Sequence, residues 1–264
     1  MSEPGLLQRF TGRFQNRHQE RLRPHAGPIP KEGDRAIGAG GKSGAMRAAV
    51  FGINDGLLSN LSLIMGVSGA SAGNHLILVA GVAGLVAGAF SMGAGEYVSM
   101  RVQRELFERL LHIEAHEIDA DPQGERRELQ QLYEERGFPP QLASEVSKVV
   151  MKDPRVALDT HAREELGLDP DELGSPLGAA ASSFVMFALG ASIPLLPFVI
   201  GSGVAATVAA IAASALSLLA VGAVMSMFTG RNPLMSGARM LVVGAIAASV
   251  TFGVGRLLHV KTGA

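Results

Sequence analysis

Five stretches of the chain are almost continuously apolar: Ala48 to Gly69, Leu76 to Ser99, Leu177 to Gly201, Val204 to Phe228 and Met240 to Leu258. Each is close to the ~20 residues that a helix needs to cross a hydrocarbon core of about 30 Å. A bilayer offers the backbone no water, so such runs span it as helices whose polar groups bond internally. The pattern therefore predicts five membrane helices. Between the second and third stretches the texture changes. Apolar residues recur there at helical spacing, as at Leu106, Leu110 and Ile113, and nothing stops the second helix from running on into them. One helix from Leu76 to about Ile118 is predicted, roughly 64 Å long at 1.5 Å per residue.

Asp121-Pro122-Gln123-Gly124 then reads as a turn. Helices are predicted over Glu125–Arg136, Pro139–Met151 and Pro154–Leu166. The last two open on proline, and Gly137 and Gly167 close the first and last of the three. This polar insert is too short to hold a large core by itself, which predicts packing against a second copy. The chain divides accordingly into a tail over 1–44, two membrane helices within 45–100, the insert over 101–176 and three membrane helices within 177–264.

Charge refines the picture. The mean hydropathy of +0.26 is modest because the insert dilutes it. The tail carries eight Lys/Arg against four Asp/Glu, while the link from Ser71 to His75 carries no Lys or Arg. Positive charge stays inside, which places the N-terminus and the insert in the cytoplasm. The Pro197–Gly203 turn then falls outside, Arg231 and Arg239 inside, and His259 and Lys261 outside. The tail lacks an apolar signal segment and reads as disordered, with one amphipathic turn near Leu6 to Leu22. The chain has no cysteine, so no disulfide framework or thiolate metal site is available. Between Arg101 and Pro176 ten Lys/Arg face eighteen Asp/Glu, an acidic excess that favours cations and argues against nucleic acid.

Asp55 and Glu96 are the only acidic residues in the five apolar stretches. A carboxylate kept in hydrocarbon faces a cavity, a partner or an ion path, so both are candidates for a transport path. Gly84, Gly88, Met92, Glu96 and Met100 recur every four residues and share one side of the second helix. Methionine there reads either as packing or as a soft ligand beside Glu96. In the insert, Glu114 and Glu117 stand just before the turn and Glu125 and Glu128 just after it. Folded back on each other, the two helices bring four carboxylates together. His161 and Glu165, four apart, are placed to complete a sphere suited to Mn²⁺, Fe²⁺ or Mg²⁺. A solvated acidic face is the competing reading.

Phe51-Gly-Ile-Asn-Asp-Gly-Leu-Leu-Ser59, Ser91-Met-Gly-Ala-Gly-Glu-Tyr-Val-Ser99 and Arg163-Glu-Glu-Leu-Gly-Leu168 resemble motifs of the vacuolar iron transporter family. Gly190-Ala-Ser-Ile-Pro-Leu-Leu-Pro-Phe198 looks like its third-helix signature, and Thr229-Gly-Arg231 with Gly253-Val-Gly-Arg256 like its closing segment. The resemblance covers about Arg47 to Val260. It implies an all-α membrane protein of five transmembrane helices with a cytoplasmic metal-binding insert between helices 2 and 3, acting as a homodimer. The implied activity is proton-coupled export of cytosolic Fe²⁺, and often Mn²⁺, without enzymatic chemistry or a resident cofactor.

It further implies a path between subunits lined by Asp55 and Met92, and metal collection by Glu114, Glu117, Glu125, Glu128 and Glu165. The chain departs from the pattern at His161, where many relatives carry methionine, so their ion selectivity does not transfer. No Glu is followed three residues later by His, which argues against a ferritin-like oxidase. A membrane-anchored metal buffer or sensor would keep the insert but have no use for Asp55 and Glu96. Without a targeting peptide, the inner or plasma membrane is the expected host.

Overall fold

The computed structural model describes residues 41–258, and every regular element there is helical. Nearly all of the 1–44 tail, its expected turn, His259 and Lys261 lie outside the described residues. The helices are α1 (Gly41–Gly69), α2 (Asn74–Ala120), α3 (Pro122–Glu135), α4 (Pro140–Val150), α5 (Pro154–Glu164), α6 (Pro176–Ile200), α7 (Gly203–Thr229) and α8 (Pro233–Leu258). Five of them, α1, α2, α6, α7 and α8, are long and apolar enough to cross a membrane, which makes this a multi-pass membrane protein.

The continuous second helix is present: α2 runs 47 residues, about 70 Å. The expected turn at 121–124 is smaller than predicted. Asp121 caps α3 by accepting the Gly124 N–H at 2.9 Å, and Pro122 occupies the first helical position, where its missing N–H is no loss. The chain thus reverses at one residue. Asp153 and Ser175 cap α5 and α6 in the same way, each followed by proline. The predicted Pro197–Gly203 turn also shrinks. α6 continues through Pro194 and Pro197 to Ile200, and the Gly201 N–H still reaches the Pro197 carbonyl at 2.9 Å. Membrane helices tolerate such prolines because neighbouring groups re-satisfy the freed backbone.

α1 is the hub of the membrane bundle, packed most extensively on α6 and α8, while α2 leans on α6. Backbone contact makes this possible. A Cβ on Gly56 would land on the Phe187 carbonyl, and one on Gly190 would land on that of Ile53. Small residues at such crossings let helices gain dispersion contacts where the solvent tails provide no hydrophobic drive. The glycine stripe of α2 faces inward in the same manner, Gly84 against Leu63 and Asn60 of α1 and Gly88 against the Phe187 ring. Met100 closes the row against Ala48 and Ala179.

The insert, α3 to α5 with the end of α2, has its own small core around Ile118, Leu129, Ala143 and Ala157. Arg136 ties α3 to the end of α5 through the Glu164 carboxylate and, at 3.1 Å, its carbonyl. Ala157 and Ala162 are fully buried, so α5 packs close.

Gly190→Val is expected to destabilise the bundle by about 1–3 kcal/mol, because side chain and backbone collide. Gly95→Ala, where nothing stands within 4 Å, is expected to be neutral or to stabilise by about 0.4–1 kcal/mol. Thermal unfolding of the two purified variants in detergent checks both.

Candidate metal centre and membrane pocket

In the insert, the reversal at Asp121 lays the last turns of α2 beside the first turn of α3, and α5 crosses both. One ligand atom from each of Glu114, Glu125, His161 and Glu165 falls within 4.8 Å of the others. Donors about 2.1–2.4 Å from a central ion span just under 5 Å, so the spacing fits a divalent cation. His161 and Glu114 are almost fully buried, at 1% and 4% exposure, while Glu125 is half-buried and Glu165 exposed.

His161 Nδ1 is the centre of the group. Glu114 Oε1 stands 3.2 Å from it, Glu165 Oε2 3.4 Å and Glu125 Oε2 3.7 Å. The Glu165 contact is aligned as a hydrogen bond. Glu114 Oε1 is off that alignment, and both it and the other ring nitrogen, His161 Nε2, are buried with no hydrogen-bond partner.

A free imidazole titrates at about pH 6.5. His161 departs from that. Burial alone would lower its pKa, but the Glu114 and Glu165 carboxylates beside its Nδ1 outweigh burial and hold the imidazolium up to about 9. Desolvation, then the charges of Glu128 and Glu114, push Glu125 up to about 7. Protons thus stand where a cation would, holding like charges together. Glu128 acts on Glu125 from an exposed position, and Glu117 is exposed as well. Three residues turn a helix by about 300°, so the second acid of each pair points off the axis of the first. Three carboxylates and one imidazole suit borderline divalent ions.

In the bundle, Asp55 and Met92 line a pocket of about 300 Å³ together with Ser59, Asn60, Ser91 and Phe187. Asp55 is exposed on the flank of α1, and Met92 is half-buried. Ser59 donates its hydroxyl to the Asp55 carbonyl at 2.6 Å. Glu96 lies outside this pocket, one helical turn towards the insert, where its Oε1 is 3.7 Å from Arg47 Nη2. Two of these residues escape sequence reasoning. Arg47 falls between the basic tail and the first apolar stretch and gives no signal of its own. Asn60 carries no charge, although an amide in an apolar run, which it shares with Asn54, was the available signal.

The sign of the pH dependence follows. His161 and Glu125 both hold protons more tightly folded than unfolded, so the metal-free fold loses their stabilisation as pH rises through about 7 and then about 9. Metal binding at pH 7.5 is expected to release roughly one proton or more per ion, and affinity to rise with pH across this window. Calorimetry of Mn²⁺ binding in buffers of different ionisation enthalpy checks the release. His161→Met is expected to remove the imidazolium's share and flatten the profile above pH 7.5.

The chain matches the model of the VIT family over residues 46–256. It is 38% identical over 261 residues to a vacuolar iron transporter of Acanthamoeba castellanii, covering 97% of this chain and 92% of that protein. It is 33% identical over 215 residues to vacuolar iron transporter 1 of Arabidopsis thaliana, covering 81% and 86%. It is 34% identical over 256 residues to a vacuolar iron transporter homolog 1 of Oryza sativa, covering 92% and 91%. Three of the motifs that suggested the family lie on α1, α2 and the insert, which build these sites, and the chain belongs to the VIT family.

Proposed function

We propose that this chain transports divalent metal across its membrane, exporting Fe²⁺ and Mn²⁺ from the cytosol in exchange for protons. The observation that carries the reading is that one unbroken helix, α2, bears both Glu114 of the insert cluster and Met92 of the membrane pocket. Relatives named vacuolar iron transporters support metal as the cargo and iron as one ion.

The insert captures a cation from the cytoplasm at Glu114, Glu125, His161 and Glu165, with Glu117 and Glu128 raising the local negative potential. The ion passes Glu96, where it displaces Arg47, and enters the pocket at Asp55 and Met92. Proton and metal compete for the same carboxylate oxygens. Metal arriving from the cytoplasm displaces protons, protons from the far side displace metal, and the linkage of the two is antiport. Asp55 is exposed on a membrane-spanning flank, an expensive place for a carboxylate unless another surface or water covers it. A second copy meeting that flank places the path between subunits and supports the homodimer. Positive charge near the N-terminus supports a cytoplasmic tail and insert. A metal buffer without transport has no use for that carboxylate.

Asp55→Asn is nearly isosteric but cannot alternate between proton and metal. It is expected to fold and to reduce pH-driven Mn²⁺ or Fe²⁺ uptake by proteoliposomes to background; wild-type uptake would sink the assignment. Glu96→Gln is expected to slow uptake less completely. Glu114, Glu117, Glu125 and Glu128 replaced together by Gln are expected to raise the half-saturating metal concentration at least tenfold while leaving flux at high metal, which a concentration series on the full chain reads directly.

A further inference from the structure

Asn60 is the most deeply buried polar side chain of the membrane pocket, 2% exposed. Its Nδ2 donates to the Ala191 carbonyl of α6 at 2.6 Å. That bond fixes which way the amide faces, since a flipped amide would set two oxygens against each other. Oδ1 is therefore turned away from α6, and it has no hydrogen-bond partner. It faces the wall made by Gly84, at 3.1 Å from where a Cβ would stand, with Leu63 Cδ2 at 2.5 Å from the same point. Gly84 and Leu63 line the same pocket. The hydroxyl proton of Ser59, the neighbouring donor, is already given to the Asp55 carbonyl. A buried carbonyl with no donor is the arrangement native structures avoid unless a ligand or ion completes it.

We propose that Asn60 Oδ1 is a ligand of the transported cation, a neutral oxygen in the pocket that Asp55 and Met92 also line. The proposal rests on reading this pocket as the membrane metal site. Leu63 covers the oxygen in this state, and its terminal methyl swings aside when the ion enters. An amide oxygen takes up no proton near neutral pH, so it holds cations while Asp55 exchanges one for the other. It is also a hard donor, whereas the thioether is soft, so the pair sets the ranking of ions. Without Asn60 the pocket loses harder Mn²⁺ and keeps softer Cd²⁺.

The test measures Mn²⁺ and Cd²⁺ affinity of the full chain in lipid nanodiscs, with Glu114→Gln and Glu165→Gln silencing the insert. Asn60→Leu removes the oxygen and the clamp to Ala191. Gly84→Ala keeps the clamp and sets a methyl against the oxygen, displacing only the flexible end of Leu63, so it carries the test if Asn60→Leu does not fold. Both variants are expected to weaken Mn²⁺ about tenfold and to leave Cd²⁺ within about twofold. Equal losses for both ions, or no loss, would make Asn60 a helix clamp alone and overturn the proposal, as would absence of Mn²⁺ binding to the silenced parent. If Mn²⁺ binding depends on Asn60 but wild-type liposomes carry no Mn²⁺, the transport reading fails and the ligand stands.

Discussion

Backbone contact between α1 and α6 is the constraint from which the membrane half of the molecule follows. With no side chain at Gly56 and none at Gly190, each helix lies against the carbonyls of the other. In lipid, where apolar side chains gain nothing by leaving the solvent, dispersion at such short range is the available source of helix association. The same closeness sets Asn60 within reach of the Ala191 carbonyl. Asp55, exposed on α1, and Asn60 line one pocket beside that seam, with Phe187 of α6.

The insert answers the opposite problem. It gathers three carboxylates around one imidazole, with Glu114 and His161 buried, a crowding of like charge that positive charge makes tolerable. Without metal, that charge is the proton on His161 and a share of one on Glu125. With metal, the ion takes over the role. Occupancy and protonation are alternative solutions to one electrostatic demand, so the cluster's pH response and its affinity cannot be tuned independently.

Much of this was legible from residue order. Long apolar runs showed the spans, the lack of any stop after Ser99 showed the extended helix, and Gly137 and Gly167 marked helix ends where the chain takes positive φ. Proline misled twice. At Pro122 it opens a helix where a turn was read, and at Pro194 and Pro197 it is absorbed into α6. Spacing also placed the candidate acids correctly on two helices, but it does not contain the rotation of one helix about the other. That is why Glu114 and Glu125 meet His161 while Glu117 and Glu128 stay outside. Of the two carboxylates that raise the His161 pKa, Glu165 is four positions away and was legible by spacing, whereas Glu114 is 47 positions away and reaches the imidazole only through the fold.

Between Glu96 and Ala120, α2 contains neither glycine nor proline, and Arg101–Glu105 and Arg104–Glu108 pairs brace its surface at 2.7 Å. Such a helix bends gently rather than hinging. Met92 and Glu114 are 22 residues apart, about 33 Å along the axis. The helix is therefore a lever whose two ends share one rigid arm: a tilt of about 5° moves one end by about 3 Å relative to the other. On the proposed route, an ion that shifts the insert also moves the membrane pocket, because no loop on α2 intervenes to absorb the displacement.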